Sequence, residues 1–444
     1  MENFSTPLNG FYIDTVKMKK EITRSVRNLV KRNDSRRIEC IVICGHGNGC
    51  YFLGNNGILK KGVSSMITNT CPVKSDKLLQ LTGQNSWDGQ PLSILSWMKK
   101  KNEKEIKQIQ KILFCKDYLR YFMTGEASTD YSDASAAGLL DQKKGEYSEQ
   151  ILSIYGLEEY GDSLPSIFKC TDAVGKISAA FSEESGLEKG TAVLAGLFDV
   201  SSCMLGTGIT EPGSFAVISG TWGIHASLTE KMILNADITQ ACYYLVPGQF
   251  MCVDSAATSL ANINLFVKQE GAVSAEQRNE MVERAKPDAN LFYMPYCYQP
   301  MDLSNVKAEY IGLKPEHTRM DRLRAVYEGV VFEHVRRLEK LKKMGVKGKK
   351  IILSGGGAKS AVLSQMLADV SGLPVEIKRE KEAGALGGAI LATVALEKYN
   401  DLHEAVERMV SREYIYEPNP SLYYQEKYAA FLKNVNKKRK GEEK

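Results

Sequence analysis

At 444 residues, with 43% hydrophobic, 25% charged and 9% aromatic positions, the chain is longer than one ordinary core fills, which sets the expectation at two globular domains of roughly 200 residues each. A formal net charge of +5 is too small to imply a nucleic-acid-binding face, and part of it lies in the C-terminal run KNVNKKRKGEEK, expected as a disordered tail over 433–444. No basic-then-apolar leader opens the sequence, no apolar run reaches the roughly eighteen residues of a membrane span, and the ten cysteines form no C-x-x-C pair or metal-ligand cluster, so a cytoplasmic protein with reduced thiols is expected.

Apolar positions Val16, Ile22, Val26, Leu29 and Val30 recur at helical spacing, so the first element is a helix over 15–33. A short buried strand over 38–44 follows and runs into Gly45-His46-Gly47-Asn48-Gly49, where glycine density forces a tight loop at the strand's carboxyl end. The pattern then predicts amphipathic helices over 92–113 and 116–123, the second stopped at Thr124-Gly125. The stretch EASTDYSDASAAG has turn chemistry and little apolar content, so it is expected as an exposed or cleft-lining loop.

A second organisation begins near Gly190. The run TAVLAGLF reads as a buried strand closed by Asp199, with a short helix to Gly206, and strands over 213–219, 224–228, 241–246 and 250–254 read as an antiparallel meander. A helix over 255–270, a long helix over 320–344, the strand KKIILS, the turn GGGAKS, a helix to 371, the strand PVEIK and a helix over 383–396 complete an alternating α/β pattern. Each half presents an apolar strand, a glycine-bearing turn and a following helix. Two such domains facing across a cleft would bind ligands at strand carboxyl ends.

Three segments carry the chemistry. In SGGGAKS, from Ser354 to Ser360, glycines let backbone approach a ligand and helix N-terminal N–H groups favour anionic atoms, although a ligand-free tight turn explains the same residues. No G-x-x-x-x-G-K-[ST] occurs, so this is not a Walker A loop. In AGLFDVSSCMLGTG one acid, Asp199, stands at a strand-to-helix junction, where it serves either as a proton acceptor or as a helix N-cap. SGTW, from Ser219 to Trp222, supplies a further strand-ending Gly-Thr pair.

Taken with KDYLRYFMTGEASTDYSDAS and EAGALGGAILA, these segments follow the order of the FGGY carbohydrate kinase family, and the chain resembles its xylulose kinase members, nearest to the L-xylulose kinase branch. The resemblance spans about Pro7 to Tyr428. It implies two actin-like (ribonuclease H-like, ASKHA) α/β domains, a sugar-binding domain over 1–198 and a nucleotide-binding domain over 199–432, with ATP and Mg²⁺ as cofactors, a small sugar as substrate and a homodimer as the assembly. It also assigns residues. Asp199 would be the general base toward the sugar hydroxyl; Gly220 and Thr221 the second phosphate loop; Gly355, Gly356, Gly357 and Ser360 the adenosine loop; and Asn264 a polar position near the nucleotide. On the sugar side the equivalents are His46, Gly47 and Asn48, with Gln90 of WDGQPLSILSW on a second loop and Asp130 to Asp133 on the cleft wall. His46 reads equally as a loop histidine without a ligand.

Two departures accompany the resemblance. Relatives begin with a strand and a D-x-G-[TS] phosphate loop, whereas PLNGFYID from Pro7 resembles a stretch well inside them, so the first loop and first strands are expected to be missing here. An upstream start is the favoured explanation, and a non-catalytic sugar or nucleotide binder is the alternative reading. In SSMITNT, Ile67 and Asn69 stand where relatives carry an Asp-x-Arg element.

Overall fold

The computed structural model describes residues 12–440 apart from 56, 59, 60, 102, 103, 257, 299–301, 304, 305 and 381. The stretch at Pro7 therefore falls outside the described residues. The first long helix, Thr15–Lys31, starts where Asp14 accepts the N–H groups of Val16 and Lys17 at 3.0 and 2.9 Å, satisfying two donors that a helix start leaves open. The expected strand over 38–44 is two short pieces, Cys40–Ile41 and Cys44–Gly45. The first pairs in parallel with Ala192–Leu194 and the second with Leu197–Phe198. Gly196, at φ 77°, makes the corresponding break in TAVLAGLF, and a Cβ there would lie 2.2 Å from the Ile43 carbonyl oxygen.

Two expectations in this half are corrected. The helix predicted over 92–113 ends at Lys100, and Ile109–Leu113 is a strand against Tyr51–Gly54, because Ile109, Ile112 and Leu113 fill a core that only strand pairing reaches. The polar stretch expected as an exposed or cleft-lining loop is instead the strand Ser128–Asp130 and the helix Tyr131–Ala136, with Asp130 and Asp133 buried. Lys116 and Arg120, buried beside them, make that burial possible.

The second half is built on a seven-stranded sheet in the order Gln240–Tyr243, Phe250–Ala256, Gly223–Thr229, Gly213–Ser219, Gly348–Ser354, Val375–Lys378, Arg412–Tyr416. The first four strands pair antiparallel as expected but not as a simple meander, because Phe250–Ala256 takes the place beside Gly223–Thr229 and leaves Gln240–Tyr243 at the edge; Gly213–Ser219, Gly348–Ser354 and Val375–Lys378 run parallel. Side chains alternate across it. Phe215, Val217, Ile351 and Leu353 face the core under the helices Arg319–Lys343 and Ala361–Ser371, while Ala216 and Ile352 face the helices Asp199–Gly206 and Ala383–Ala395. The last helix, Leu422–Lys440, corrects the expected tail: the chain stays helical through 433–440, because Val435 and Phe431 are buried against the long helix's core.

The helix that begins at Asp199 is held backbone to backbone. A Cβ on Gly206 would lie 1.8 Å from the Ala383 carbonyl oxygen, and one on Gly387 would lie 1.9 Å from that of Ser202. Because helical backbone cannot yield at such contacts, Gly206→Val is expected to cost at least about 3 kcal/mol of stability, read as a lowered urea midpoint. An unchanged midpoint would contradict this packing.

Candidate functional site

The parallel register of Leu197 with Cys44 and Phe198 with Gly45 carries Asp199 to the loop that follows Gly45. Gly47 has no alternative there, since a Cβ would sit 2.1 Å from the Phe198 ring. Asn48 and Gly49, at φ 61° and 72°, turn the chain back, and the Gly49 N–H donates to the Gly89 carbonyl at 2.9 Å, tying this loop to the Trp87–Gln90 loop.

Asp199 is half-buried, and its carboxylate accepts the Val200 N–H at 2.7 Å. Burial raises its pKa, with His46 and the N–H groups of Val200 and Gly47 offsetting part of the rise. His46 lies 2.8 Å from the Tyr51 hydroxyl through Nε2. Burial alone would lower its pKa, but the Cys115 sulfur, the Asp199 carboxylate and the Gly47 carbonyl outweigh it and carry the imidazole up to about 9. At neutral pH His46 is therefore a cation whose charge acts on Asp199 against the effect of burial.

Two buried polar atoms beside this loop have no protein partner, Asn48 Oδ1 and Trp87 Nε1. An acceptor and a donor left open in this way suit a polyhydroxylated ligand, because an unpartnered buried polar group is costly unless something bonds to it. Asn48 was among the expected contacts. Trp87 was not, and its only sequence signal is its place three residues before Gln90. Gln90 is buried, with its amide donating to Gln84 Oε1 at 2.8 Å and its oxygen accepting the Trp87 N–H at 3.3 Å. Of the element replacing Asp-x-Arg, Ile67 is core and Asn69 occupies a left-handed turn at φ 61°.

Behind the loop lies a buried ionic cluster. Lys116 Nζ is 2.5 Å from Asp117, 2.8 Å from Asp130 and 3.3 Å from Asp133, and Arg120 reaches Asp117 at 3.0 Å and the Ala195 carbonyl at 2.5 Å. Burial drives the Asp133 pKa well up against the pull of Lys116, with Asp130, Asp117 and Asp199 adding to the rise. Two cations, Lys116 and Arg120, thus face three carboxyl groups, and burial disfavours the charged form of Asp133 among them. The cluster reaches the strand before Asp199 through Ser132, whose hydroxyl donates to Asp130 at 2.5 Å and accepts the Phe198 N–H at 2.9 Å.

The glycine loops of the second half meet at neighbouring strand ends. Gly213–Ser219 and Gly348–Ser354 run parallel with Ile218 beside Ser354, so Gly220-Thr221 and Gly355-Gly356-Gly357 emerge side by side. Gly355, at φ 79°, passes so close to Ser219 that a Cβ would lie 2.8 Å from its carbonyl oxygen. Gly220 and Thr221 present their carbonyls to the N–H groups of Leu260 and Ser259, both at 3.0 Å. Ser360 caps the next helix by accepting the Leu363 N–H at 3.2 Å and donates to Asn279 at 2.7 Å. Asn264 is exposed on Leu260–Glu270, apart from this cluster of contacts; the engaged asparagine of that helix is Asn262, which donates to the Pro295 carbonyl at 3.0 Å.

Comparison with known proteins agrees with this layout. Residues 17–206 match the N-terminal domain of the FGGY family of carbohydrate kinases and residues 215–396 its C-terminal domain. The chain is 32% identical over 333 residues to the L-xylulose/3-keto-L-gulonate kinase of Escherichia coli, covering 74% of this chain and 67% of that one. It is 30% identical over 413 residues to a probable L-xylulose kinase of Haemophilus influenzae, covering 90% and 84%. Among solved structures, the xylulose kinase of Rhodospirillum rubrum superposes with a TM-score of 0.87 at 22% identity, covering 98% of this chain and 92% of that one, and Plasmodium falciparum glycerol kinase with ADP does so at 0.88 and 16%, with the same coverage. On the two domain matches and these identities, the chain belongs to the FGGY family of carbohydrate kinases, with that family's two-domain actin-like fold.

Proposed function

We propose that the protein transfers the γ-phosphoryl group of ATP to a hydroxyl of a ketopentose of the L-xylulose or D-xylulose type. The observation that carries this reading is the pairing of Asp199 with the His46-Gly47-Asn48 loop, beside the unpartnered Asn48 Oδ1 and Trp87 Nε1. Residues 1–198 would bind sugar and residues 199–432 nucleotide. Association as a homodimer and a cytoplasmic location extend the reading.

Asp199 accepts the hydroxyl proton as the sugar oxygen bonds to the γ-phosphorus and the bond from phosphorus to the ADP oxygen breaks. The imidazolium of His46 keeps Asp199 ionised until the proton arrives. Asn48 and Trp87 orient the sugar, Gly220 and Thr221 hold phosphate, and Gly355, Gly356, Gly357 and Ser360, with Asn264 at the edge, hold the adenosine. Among the described residues no group of three or more His, Cys, Asp or Glu side chains is set to hold a metal ion. A Mg²⁺ would need only one or two carboxylates from the protein, and Asp199 would be the one to hold it. When bound it would supply neutralisation of phosphate charge.

The non-catalytic alternative is not supported by the relatives, which are named as kinases. A coupled ADP-release assay with D-xylulose, L-xylulose, L-ribulose and glycerol tests the proposal. Turnover is expected with a xylulose and at least tenfold less with glycerol, which offers too few hydroxyls to satisfy the open groups. No turnover above background with any of the four would overturn it.

A further inference from the structure

Beneath the two glycine loops runs a chain of four buried side chains, each 2% exposed or less: Ser219, Ser259, His334 and His225. Ser219 Oγ is 3.0 Å from Ser259 Oγ, Ser259 Oγ is 3.0 Å from His334 Nε2, His334 Nδ1 is 2.8 Å from His225 Nε2, and His225 Nδ1 is 3.1 Å from the Asp254 carbonyl oxygen. The last contact sets the direction of all the others. A carbonyl only accepts, so His225 carries its hydrogen on Nδ1 and accepts at Nε2. His334 must then donate from Nδ1 and accept at Nε2, which the Ser259 hydroxyl fills, and Ser219 in turn donates to Ser259.

Both imidazoles are neutral in this arrangement. Burial lowers His225 well below its ordinary range, with His334, Arg337 and Arg336 adding to it against the Asp254 carbonyl. Burial also lowers His334 to about 4, with Glu333 opposing and Arg337 assisting.

The upper end of the chain touches both loops. Ser259 donates its N–H to the Thr221 carbonyl, and Ser219 directly precedes Gly220. A Cβ on Gly357 would lie 2.4 Å from Ser219 Oγ, so the second loop rests on the same hydroxyl. The lower end is anchored in the long helix Arg319–Lys343 and the strand Gly223–Thr229.

We propose that Ser219, Ser259, His334 and His225 are positioning residues that set the two glycine loops for nucleotide binding, by fixing Ser259 and Ser219 against a directional histidine pair. This rests on the reading of Gly220-Thr221 and Gly355 to Gly357 as the nucleotide loops. None of the four touches the sugar side, so the device acts on nucleotide affinity.

Two near-isosteric replacements separate positioning from simple core filling. His334→Gln places an acceptor where Nε2 was and keeps the Ser259 contact, whereas His334→Asn keeps only a donor toward His225. In the full-length protein His334→Asn and Ser259→Ala are expected to raise KM for ATP, and the ADP dissociation constant by calorimetry, about three- to tenfold, the worth of one buried hydrogen bond. KM for sugar should stay within about twofold in both, and His334→Gln should stay within about twofold of the parent for ATP as well. Equal ATP constants for His334→Asn and His334→Gln, or ATP and sugar constants rising together, would overturn the proposal. If His334→Asn does not fold, Ser259→Ala decides alone, since it keeps the N–H to Thr221 and removes only the hydroxyl: an unchanged ADP constant refutes the device. Gly357→Val tests the underlying reading separately. Retained ADP binding in that variant would sink the loop assignment and the proposal with it, whereas lost binding with indistinguishable Asn and Gln variants would refute positioning alone.

Discussion

Asp199→Asn is expected to lower kcat about a thousandfold while leaving the ADP dissociation constant within about threefold, because it removes the proton acceptor, and with it the carboxylate offered to Mg²⁺, while the nucleotide loops are untouched. The amide oxygen can still accept the Val200 N–H that the carboxylate takes at 2.7 Å, so the helix start is preserved. The pH profile of the parent enzyme follows from the same pair. Burial raises the Asp199 pKa, so the ionised base, present above that value, is lost as pH falls through it, at higher pH than for an ordinary carboxylate. On the alkaline side His46 keeps its charge up to about 9 and loses it beyond, withdrawing the partner that holds Asp199 ionised. Retained sugar-dependent turnover in Asp199→Asn would remove Asp199 from the role of base. A rate independent of pH down to 4 would contradict its raised pKa.

Lys116→Met should destabilise the protein by about 3–5 kcal/mol, the range for breaking a buried ion pair from one side. In the parent cluster Lys116 and Arg120 face Asp117, Asp130 and Asp133, and burial disfavours the charged form of Asp133. Methionine fills the space but leaves Asp130 without its cation at zero exposure. Adding Asp130→Asn to Lys116→Met should recover part of the loss, since it removes the stranded charge. Urea denaturation reads both effects. Equal stability of Lys116→Met and parent, or no recovery in the double variant, would show that the cluster does not carry this charge balance.

Much of the second half was legible in the sequence because its elements obey one period each. Phe215 and Val217 against Ala216 alternate on the sheet, and the long helix shows its start at Arg319 and its end at Lys343 within a residue of the predicted bounds. The first half was harder. Its strands are two to five residues long, too short for periodicity to separate Ile109–Leu113 from the tail of a helix. The polar run at Asp130 to Asp133 looked exposed because its compensating cations lie on a different element, the helix Cys115–Thr124.

Sequence alone determined that glycine-rich turns follow buried strands in both halves, that Asp199 ends one of them, and that their order is that of the FGGY kinases. These are local properties, set by steric freedom at glycine and by the run of apolar residues before it. Only the tertiary structure decided which groups meet. Asp199 reaches His46 through a two-residue parallel pairing, Gln90 turns inward while Trp87 Nε1 is left open, and His225 meets His334 from 109 positions away. Such contacts depend on strand register and helix rotation, and a shift of one residue would carry each side chain to the opposite face, so no local pattern could specify them.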